Sequence, residues 1–202
     1  MMLGARTAAW SGKKLPFLRR VAYLESHGTE WIDTGVNAKQ TLKIRAVFEI
    51  NLPEESYFVY GVRFGNSTIT CASGSTINYG YARWGMSAYT QNVPYGLVDI
   101  TQDSSGVIIK GILYSYNAKE TVIEQSGYTM VIFAGRNSLT TVTANMVGKI
   151  YSYVIWDNGV LVRDFIPVLD LSGRPAMYDE VSGQLFYNQG TGEFTWGELN
   201  AA

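Results

Sequence analysis

The clearest structural signal in the sequence is the stretch LKIRAVFEI at Leu42–Ile50. All of its even-numbered residues are apolar, and all but one of the odd-numbered residues are charged. Successive side chains of a β-strand point to opposite faces, so this period predicts a strand with one face in a core. The residues predicted to lie inward are Leu42, Ile44, Phe48 and Ile50, and those predicted to face solvent are Lys43, Arg45 and Glu49.

Similar short runs, separated by turn residues, continue along most of the chain. The clearest turn is Asp157-Asn158-Gly159, because Asn-Gly adopts at low cost the positive φ that a two-residue hairpin turn needs. Many short strands without helical crossovers predict an all-β fold, an antiparallel β-sandwich or barrel. The other predicted strands are Tyr57–Arg63, Thr68–Ala72, Thr76–Arg83, Leu97–Thr101, Val107–Tyr114, Thr121–Glu124, Met130–Ala134, Lys149–Trp156, Val160–Val168 and Gln184–Tyr187.

Length and composition exclude several classes of protein. The chain has 202 residues, of which 47% are hydrophobic and 16% charged, so it can form one core and is not disordered as a whole. No apolar run reaches the ~18 residues of a membrane span, and the first residues lack a secretory signal, so we expect a soluble, unprocessed chain without membrane insertion. The only cysteine, Cys71, cannot form an internal disulfide, and we expect it to be a buried, inert thiol. With His27 as the only histidine, a zinc site of Cys and His cannot form within one chain.

The first twenty residues differ in character from the rest. Residues 1–20 contain five basic residues and no acid, whereas residues 21–202 contain more acidic than basic residues. We therefore predict a basic N-terminal arm or linker at 1–20 and one domain at 21–202. The arm is expected to dock on another protein and to add little to the stability of the domain, the alternative being an unstructured leader. Nucleic acid is not expected as a partner, because the negative charge of the acidic domain repels phosphate groups. The candidate docking residues are Trp10, Phe17, Arg19 and Arg20.

Two stretches resemble a known family. Residues Tyr23–Gly35, YLESHGTEWIDTG, resemble the opening of concanavalin A-like, laminin-G-type jelly-roll domains. The stretch from Gly148 through Asp157–Val168 to Phe186-Tyr187-Asn188 and Gly190-Thr191-Gly192 resembles their closing strands. The resemblance implies a concanavalin A-like jelly roll over nearly all of residues 21–202.

Such domains are frequent in proteins of gut bacteria and in virion proteins of their phages. A short arm followed by one jelly roll resembles a phage structural or host-surface-binding protein. This implies a non-enzymatic virion protein, made in the bacterial cytoplasm, whose partners are other virion proteins or further copies of itself, with a bacterial surface glycan as a further ligand. The alternative is a carbohydrate-binding, lectin-like module of a gut bacterium, located at the cell surface. A glycoside hydrolase of jelly-roll type is the third hypothesis.

Carboxylate chemistry has little support in the sequence. Jelly-roll glycosidases hold their catalytic acids at alternating positions along a strand. Here Glu30 and Asp33 are three residues apart, Asp179 and Glu180 are adjacent, and the segment from Ser56 to Val98 contains no Asp, Glu or Lys. We therefore predict that the protein is not an enzyme, although carboxylates brought together from distant strands remain an alternative.

The same segment is rich in aromatic residues and amides, which is typical of sugar binding as well as of a sandwich core. If Thr76–Trp84 is a strand, Tyr79, Tyr81 and Arg83 share one face. An arginine is rarely buried unpaired, so this face is predicted to be in solvent. Tyr79, Tyr81 and Arg83 are thus the candidate glycan-binding residues, and tyrosines on a solvated strand face without function are the alternative.

No cofactor is expected, with a structural calcium ion as the open alternative. Calcium needs six to eight oxygen ligands, and the sequence has no loop dense in Asp and Asn. The candidate ligands are Asp33, Asp99, Asp103, Asp157 and Asp170.

Overall fold

The chain forms short β-strands joined by turns. The computed structural model describes residues 15–51, 57–64, 67–73, 78–81, 87–89, 96–116, 122–143 and 145–199. The first strands are β1 (Phe17–Arg20), β2 (Tyr23–His27), β3 (Ile32–Asn37), β4 (Leu42–Ile50), β5 (Tyr57–Phe64), β6 (Ser67–Ser73), β7 (Asn78–Tyr81), β8 (Ser87–Tyr89), β9 (Leu97–Asp103) and β10 (Gly106–Ile109). They are followed by β11 (Ile112–Ser115), β12 (Thr129–Ile132), β13 (Gly135–Arg136), β14 (Val142–Thr143), β15 (Val147–Asp157), β16 (Val160–Asp170), β17 (Pro175–Asp179), β18 (Gln184–Phe186) and β19 (Thr195–Gly197).

These strands form two sheets. The large sheet has eleven strands in the order β11-β10-β9-β4-β15-β16-β17-β18, with β1 beside β16, β2 beside β15 and β19 beside β2. The small sheet has eight strands in the order β14-β13-β5-β6-β7-β8, with β12 between β3 and β5. The strand pairs are antiparallel, apart from a short parallel contact between β13 and β5. No helix long and apolar enough to cross a membrane occurs within the described ranges.

The two sheets pack face to face around one main core. Its largest fully buried side chains include Tyr60 of β5 and Tyr153 of β15, whose rings meet edge to face across the sandwich at 5.3 Å. Cys71 is fully buried, as predicted. The architecture is the all-β antiparallel sandwich of jelly-roll type that the sequence predicted.

Strand β4 confirms the predicted register. Leu42, Ile44, Phe48 and Ile50 are all buried in the core, and Lys43 is exposed. The other two charged residues of β4 lie half-buried on the opposite face, in ion pairs between Arg45 and Asp99 and between Glu49 and Lys149.

The Asn158-Gly159 turn is also confirmed. Asp157 pairs with Val160, so two residues connect β15 to β16. Both have positive φ, 48° at Asn158 and 78° at Gly159. These values match the right-handed twist of the flanking strands, which is why Asn-Gly is favoured at this position.

Two predicted strands differ from the structure. The predicted strand Val107–Tyr114 is a hairpin of β10 and β11, because Lys110 and Gly111 form a turn with φ of 50° and 81°. The residues predicted as a strand at Thr121–Glu124 have no strand pairing from Val122 onward. Val122 is instead held by its backbone N–H, which donates to Gln40 Oε1 at 2.7 Å.

The predicted boundary after residue 20 must be corrected for residues 17–20. These residues form β1, which pairs with the end of β16, and Phe17 is buried with its ring 4.9 Å from that of Tyr178. Arg19 pairs with Glu198, and Arg20 pairs with Glu180. Phe17, Arg19 and Arg20 therefore contact their own domain, because an open strand position beside β16 gives them backbone and side-chain partners. Their docking on another protein stays a prediction. Trp10 lies outside the described residues, so its docking role stays a prediction.

This placement gives a testable expectation for truncation. A chain beginning at Val21 is expected to melt about 4–10 °C below a chain beginning at Leu15, because it loses the burial of Phe17, worth about 1.5–3 kcal/mol. The chain beginning at Leu15 is the control, since it keeps β1 and both ion pairs. Equal melting temperatures would show that β1 adds nothing to the sandwich.

Candidate functional site

A buried carboxylate, Glu30, organises the turn between β2 and β3. Its Oε2 accepts hydrogen bonds from Ser26 Oγ at 2.9 Å and from the backbone N–H groups of His27 and Thr29 at 2.8 and 3.2 Å. Its Oε1 accepts one from Thr29 Oγ1 at 3.0 Å. Burial raises the pKa of Glu30, but these hydrogen bonds outweigh burial and hold the pKa below its ordinary value. The carboxylate is therefore an ionised anchor of the turn.

Two glycines near the C-terminus pack directly against this turn. A Cβ atom at Gly190 would lie 1.8 Å from the backbone oxygen of Thr29, and one at Gly192 would lie 1.9 Å from Glu30 Oε1. The backbone N–H of Thr191 donates to the oxygen of Thr29 at 3.3 Å. Gly190-Thr191-Gly192 is thus explained by the close approach of two backbones, and the opening and closing motifs of the sequence meet here.

Asn188 fixes the same loop from its other side. Its Oδ1 accepts hydrogen bonds from the backbone N–H groups of Trp31 and Gly190, at 3.1 and 2.8 Å. Its Nδ2 donates to the backbone oxygen of Gly192. Both ends of the amide are committed to the backbone, so Asn188 shapes the loop between β18 and β19.

A second carboxylate, Asp170, organises the turn between β16 and β17. It accepts hydrogen bonds from the backbone N–H groups of Ser172 and Arg174, from Arg174 Nε at 3.3 Å and from the Tyr187 hydroxyl at 3.1 Å. Burial raises the pKa of Asp170, but hydrogen bonds, led by the backbone of Arg174, bring the pKa below its ordinary value. Asp170 thereby holds an arginine and a tyrosine from two different loops.

Arg174 and Tyr187 are stacked on each other. The guanidinium carbon of Arg174 lies 3.7 Å from the centre of the Tyr187 ring, within the range of a cation–π interaction. Asp170 contacts both side chains, so the three residues form one connected group. The pair combines an aromatic ring with the planar N–H donors of a guanidinium group.

Trp196 stands on β19, the edge strand beside β2. It pairs with Leu24 of β2, and its side chain is 39% exposed. Two residues earlier, Phe194 is buried with its ring 4.7 Å from that of Phe133. The backbone of Trp196 is therefore held by its pairing with β2 and by the burial of Phe194, while part of its indole faces solvent.

These elements line a cavity of about 580 Å³ that is open to solvent, which we call the Trp196 pocket. Its walls combine the exposed ring of Trp196 and the partly buried ring of Tyr187 with the guanidinium of Arg174 and the carboxylate of Glu193. Binding sites for small molecules combine aromatic walls with a few placed polar groups in the same way. The described residues that line the pocket are Ser172, Gly173, Arg174, Pro175, Tyr187, Asn188, Gly190, Gly192, Glu193, Phe194 and Trp196.

A smaller groove of about 330 Å³ lies on the large sheet, over β4, β9 and the turn after β10. The Arg45–Asp99 ion pair lines it, and its apolar wall includes the exposed side chains of Leu97 and Ile108. Arg45 Nε and Nη2 donate to the two Asp99 oxygens at 3.0 and 2.6 Å. This groove has no described aromatic lining residue, so the Trp196 pocket is the better candidate for a ligand with flat apolar faces and hydroxyl groups.

The predicted glycan-binding residues are not tested by the structure. Tyr79 and Tyr81 lie on β7, where they pair in register with Cys71 and Ile69 of β6. Their side chains, and Arg83 as a whole, lie outside what the structure describes. The strip of Tyr79, Tyr81 and Arg83 therefore stays a prediction.

The candidate calcium ligands lie apart from one another, each with contacts of its own. Among the described residues, no group of three or more His, Cys, Asp or Glu side chains is placed to share a metal ion. Asp33 contacts Arg136 and Thr129, Asp99 contacts Arg45, Asp103 contacts Ser105, Asp157 contacts Lys39 and Thr41, and Asp170 contacts Ser172, Arg174 and Tyr187. Their positions are explained by turns and ion pairs.

The acidic residues considered for catalysis have structural contacts as well. Asp179 is fully buried and accepts hydrogen bonds from the backbone N–H groups of Asp164, Val181 and Ser182. The Glu30 carboxylate accepts its hydrogen bonds from residues of the turn between β2 and β3. Among the described residues that line the Trp196 pocket, Glu193 is the only acid, whereas glycoside hydrolysis uses a pair of carboxyl groups.

Comparison with known proteins gives a likeness in fold. No family model and no curated protein matches the sequence. A crystal structure of a "putative carbohydrate binding protein" from Bacteroides ovatus superposes with a TM-score of 0.60 at 10% sequence identity. The match covers 91% of this chain but 61% of the other, so the chain spans less than two thirds of that protein. At this identity the match supports the sandwich fold, and it gives no support to the phage and laminin-G parts of the resemblance.

The sequence does not predict the Trp196 pocket, although two of its segments belong to the motifs that indicate the fold. Phe186-Tyr187-Asn188 and Gly190-Thr191-Gly192 were interpreted only as signs of the fold. The one feature of the sequence that indicates this site is Trp196, a tryptophan that follows the glycine-rich loop Gly190-Thr191-Gly192. Arg174 and Asp170 could not be assigned to the same site, because their contact with Tyr187 depends on the packing of two separate turns.

Proposed function

We propose that the chain is a non-enzymatic carbohydrate-binding module and that the Trp196 pocket is its binding site. The main support is the combination, in one cavity, of the exposed Trp196 ring with the stacked Arg174–Tyr187 pair and the Glu193 carboxylate. The apolar face of a pyranose stacks on an aromatic ring, and its hydroxyl groups hydrogen-bond to guanidinium and carboxylate groups. The name of the structural neighbour from Bacteroides ovatus agrees with this proposal.

The alternative of a lectin-like bacterial module is thus better supported than a virion protein. Assembly into a virion, docking on other virion proteins or on further copies of the chain, and location in a virion or at a bacterial surface stay predictions. They concern where the module is used, and the same pocket would serve a bacterial surface glycan in either case. Detection of the chain in purified phage particles would test the virion prediction.

Replacement of Trp196 by alanine is the direct test of the pocket. We expect wild-type protein to bind at least one glycan on an array of bacterial and plant polysaccharides, and Trp196→Ala to weaken that binding at least tenfold. The reason is the loss of the stacking surface, since aromatic rings contribute most of the contact area in such sites. Affinities can be measured by isothermal titration calorimetry with the glycan identified on the array.

The control variant is Val160→Ala. Val160 is also an exposed apolar residue, but it lies at the start of β16, whereas the pocket turn follows the end of that strand. An eleven-residue strand spans about 35 Å, so this substitution is remote from the pocket. Equal binding by wild type, Val160→Ala and Trp196→Ala would show that the glycan binds elsewhere, and the strip of Tyr79, Tyr81 and Arg83 would then be the next site to test.

A further inference from the structure

We infer that the Trp196 pocket selects neutral glycans and rejects glycans that carry carboxylate groups. This inference rests on the proposed carbohydrate-binding function and deepens it by naming the class of ligand. It follows from the charged side chains around the pocket and from whether each of them has an ion-pair partner of opposite charge within the protein.

The positive charge at the pocket is compensated within the protein. Arg174 Nε lies 3.3 Å from Asp170 Oδ2, and two further hydrogen bonds from backbone N–H groups hold the Asp170 carboxylate in place. A carboxylated ligand that approached Arg174 would share the guanidinium with this fixed anion. The contact with Asp170 uses Arg174 Nε, so the Nη groups of Arg174 can donate to hydroxyl groups of a ligand. The adjacent Asp170 anion weakens the attraction of Arg174 for a second carboxylate.

The negative charge of Glu193 is not compensated in the same way. Glu193 is exposed and lines the pocket, and it takes part in no ion pair within the described ranges of the chain. Together, Arg174, Asp170 and Glu193 carry one positive and two negative formal charges. The pocket thus presents a net negative charge to a ligand, which repels uronic acids and sialylated sugars but does not repel neutral sugars.

The stacking surfaces agree with a neutral ligand. The rings of Trp196 and Tyr187 provide binding area that does not depend on charge. Glu193 can accept hydrogen bonds from sugar hydroxyls, and a carboxylate gives strong bonds of this kind. The same group therefore assists a neutral sugar and opposes an acidic one.

The test uses pairs of glycans that differ in a carboxylate. Suitable probes are methyl-esterified and free oligogalacturonides, lactose and sialyllactose, and xylan and glucuronoxylan oligosaccharides, each titrated against the full chain. We expect a neutral member to bind and its carboxylated partner to bind at least tenfold more weakly at low ionic strength. At about 1 M salt, where charges are screened within about 3 Å, this difference should shrink at least threefold.

The readout for Glu193 is the ratio of the two affinities. Glu193→Gln is expected to raise the affinity for the carboxylated member relative to its neutral partner at least fivefold. Glu124→Gln removes the same charge from an exposed residue outside the pocket, so it should leave the ratio unchanged. Because the ratio is measured, a general loss of affinity in Glu193→Gln does not imitate the expected result.

The experiment distinguishes failure of the inference about ligand class from failure of the proposed binding site. If carboxylated members bind as well as neutral ones and this binding is lost in Trp196→Ala, the inference about ligand class is wrong and the proposed function stands. If Glu193→Gln leaves the ratio at its wild-type value, the inference is also wrong. If no glycan binds in a manner that depends on Trp196, the proposed site is wrong and the inference falls with it.

Discussion

Gly190→Ala is expected to lower the free energy of unfolding by about 3 kcal/mol or more, at the upper end of overpacking effects. The added Cβ would lie 1.8 Å from the backbone oxygen of Thr29 and 3.2 Å from Asn188 Oδ1. Neither group can move freely, since the Thr29 oxygen accepts from Thr191 and the Asn188 amide is committed to the backbone. The loop between β18 and β19 would have to leave the Glu30 turn, and the Trp196 pocket would lose one wall.

Gly111→Ala is the matched control for this substitution. Gly111 has a positive φ of 81°, but a Cβ there would meet no atom within 4 Å. Alanine at Gly111 should therefore cost about 1–2 kcal/mol from backbone strain alone. Urea denaturation of both variants gives the two free energies. A Gly190→Ala protein as stable as wild type would show that the two motifs do not pack as closely as described.

Phe48→Ala is expected to cost about 3–5 kcal/mol, the usual range for removal of a fully buried phenylalanine. Phe48 is fully buried in the middle of β4, which lies between β9 and β15 in the large sheet. Neighbours on both sides restrict collapse of the strand into the space left by the ring, so the cavity cost adds to the lost transfer free energy.

The control for Phe48 lies on the same strand. Lys43 is exposed on the opposite face, so Lys43→Ala should change stability by no more than about 0.5 kcal/mol. Chemical denaturation with an unchanged slope would assign the loss in Phe48→Ala to the native state. A cost below about 1 kcal/mol would contradict the assignment of this face of β4 to the core.

The sequence predicted those parts of the fold whose cause is local. Alternation along Leu42–Ile50 identifies the buried face without knowledge of neighbouring strands, and Asn158-Gly159 defines its own turn. The turn at Lys110-Gly111 was not predicted, because lysine rarely adopts a positive φ and the flanking residues form one apolar run. Strand β1 was not predicted either, since its charged sequence becomes a strand only through pairing with β16.

The candidate site was beyond sequence reasoning for a related reason. Composition pointed to the aromatic segment between Ser56 and Val98, but composition does not show which face a ring occupies. The Trp196 pocket combines the turn after β16, the loop after β18 and the edge strand β19. Asp170 brings the first two together through hydrogen bonds to Arg174 and Tyr187, and no pattern within either segment indicates that contact.

The contact between the Glu30 turn and the loop after β18 also determines how early the sandwich can be completed during synthesis on the ribosome. The hydrogen bond from Trp31 to Asn188 joins residues 157 positions apart. At about 5–20 residues per second, the early partner waits about 8–30 s for the late one to be synthesised. During this interval the edge of β2 that later receives β19 is unpaired, and unpaired edges favour aggregation. Nascent chains should therefore depend on chaperones until the last residues emerge, and slower translation should lower the soluble yield.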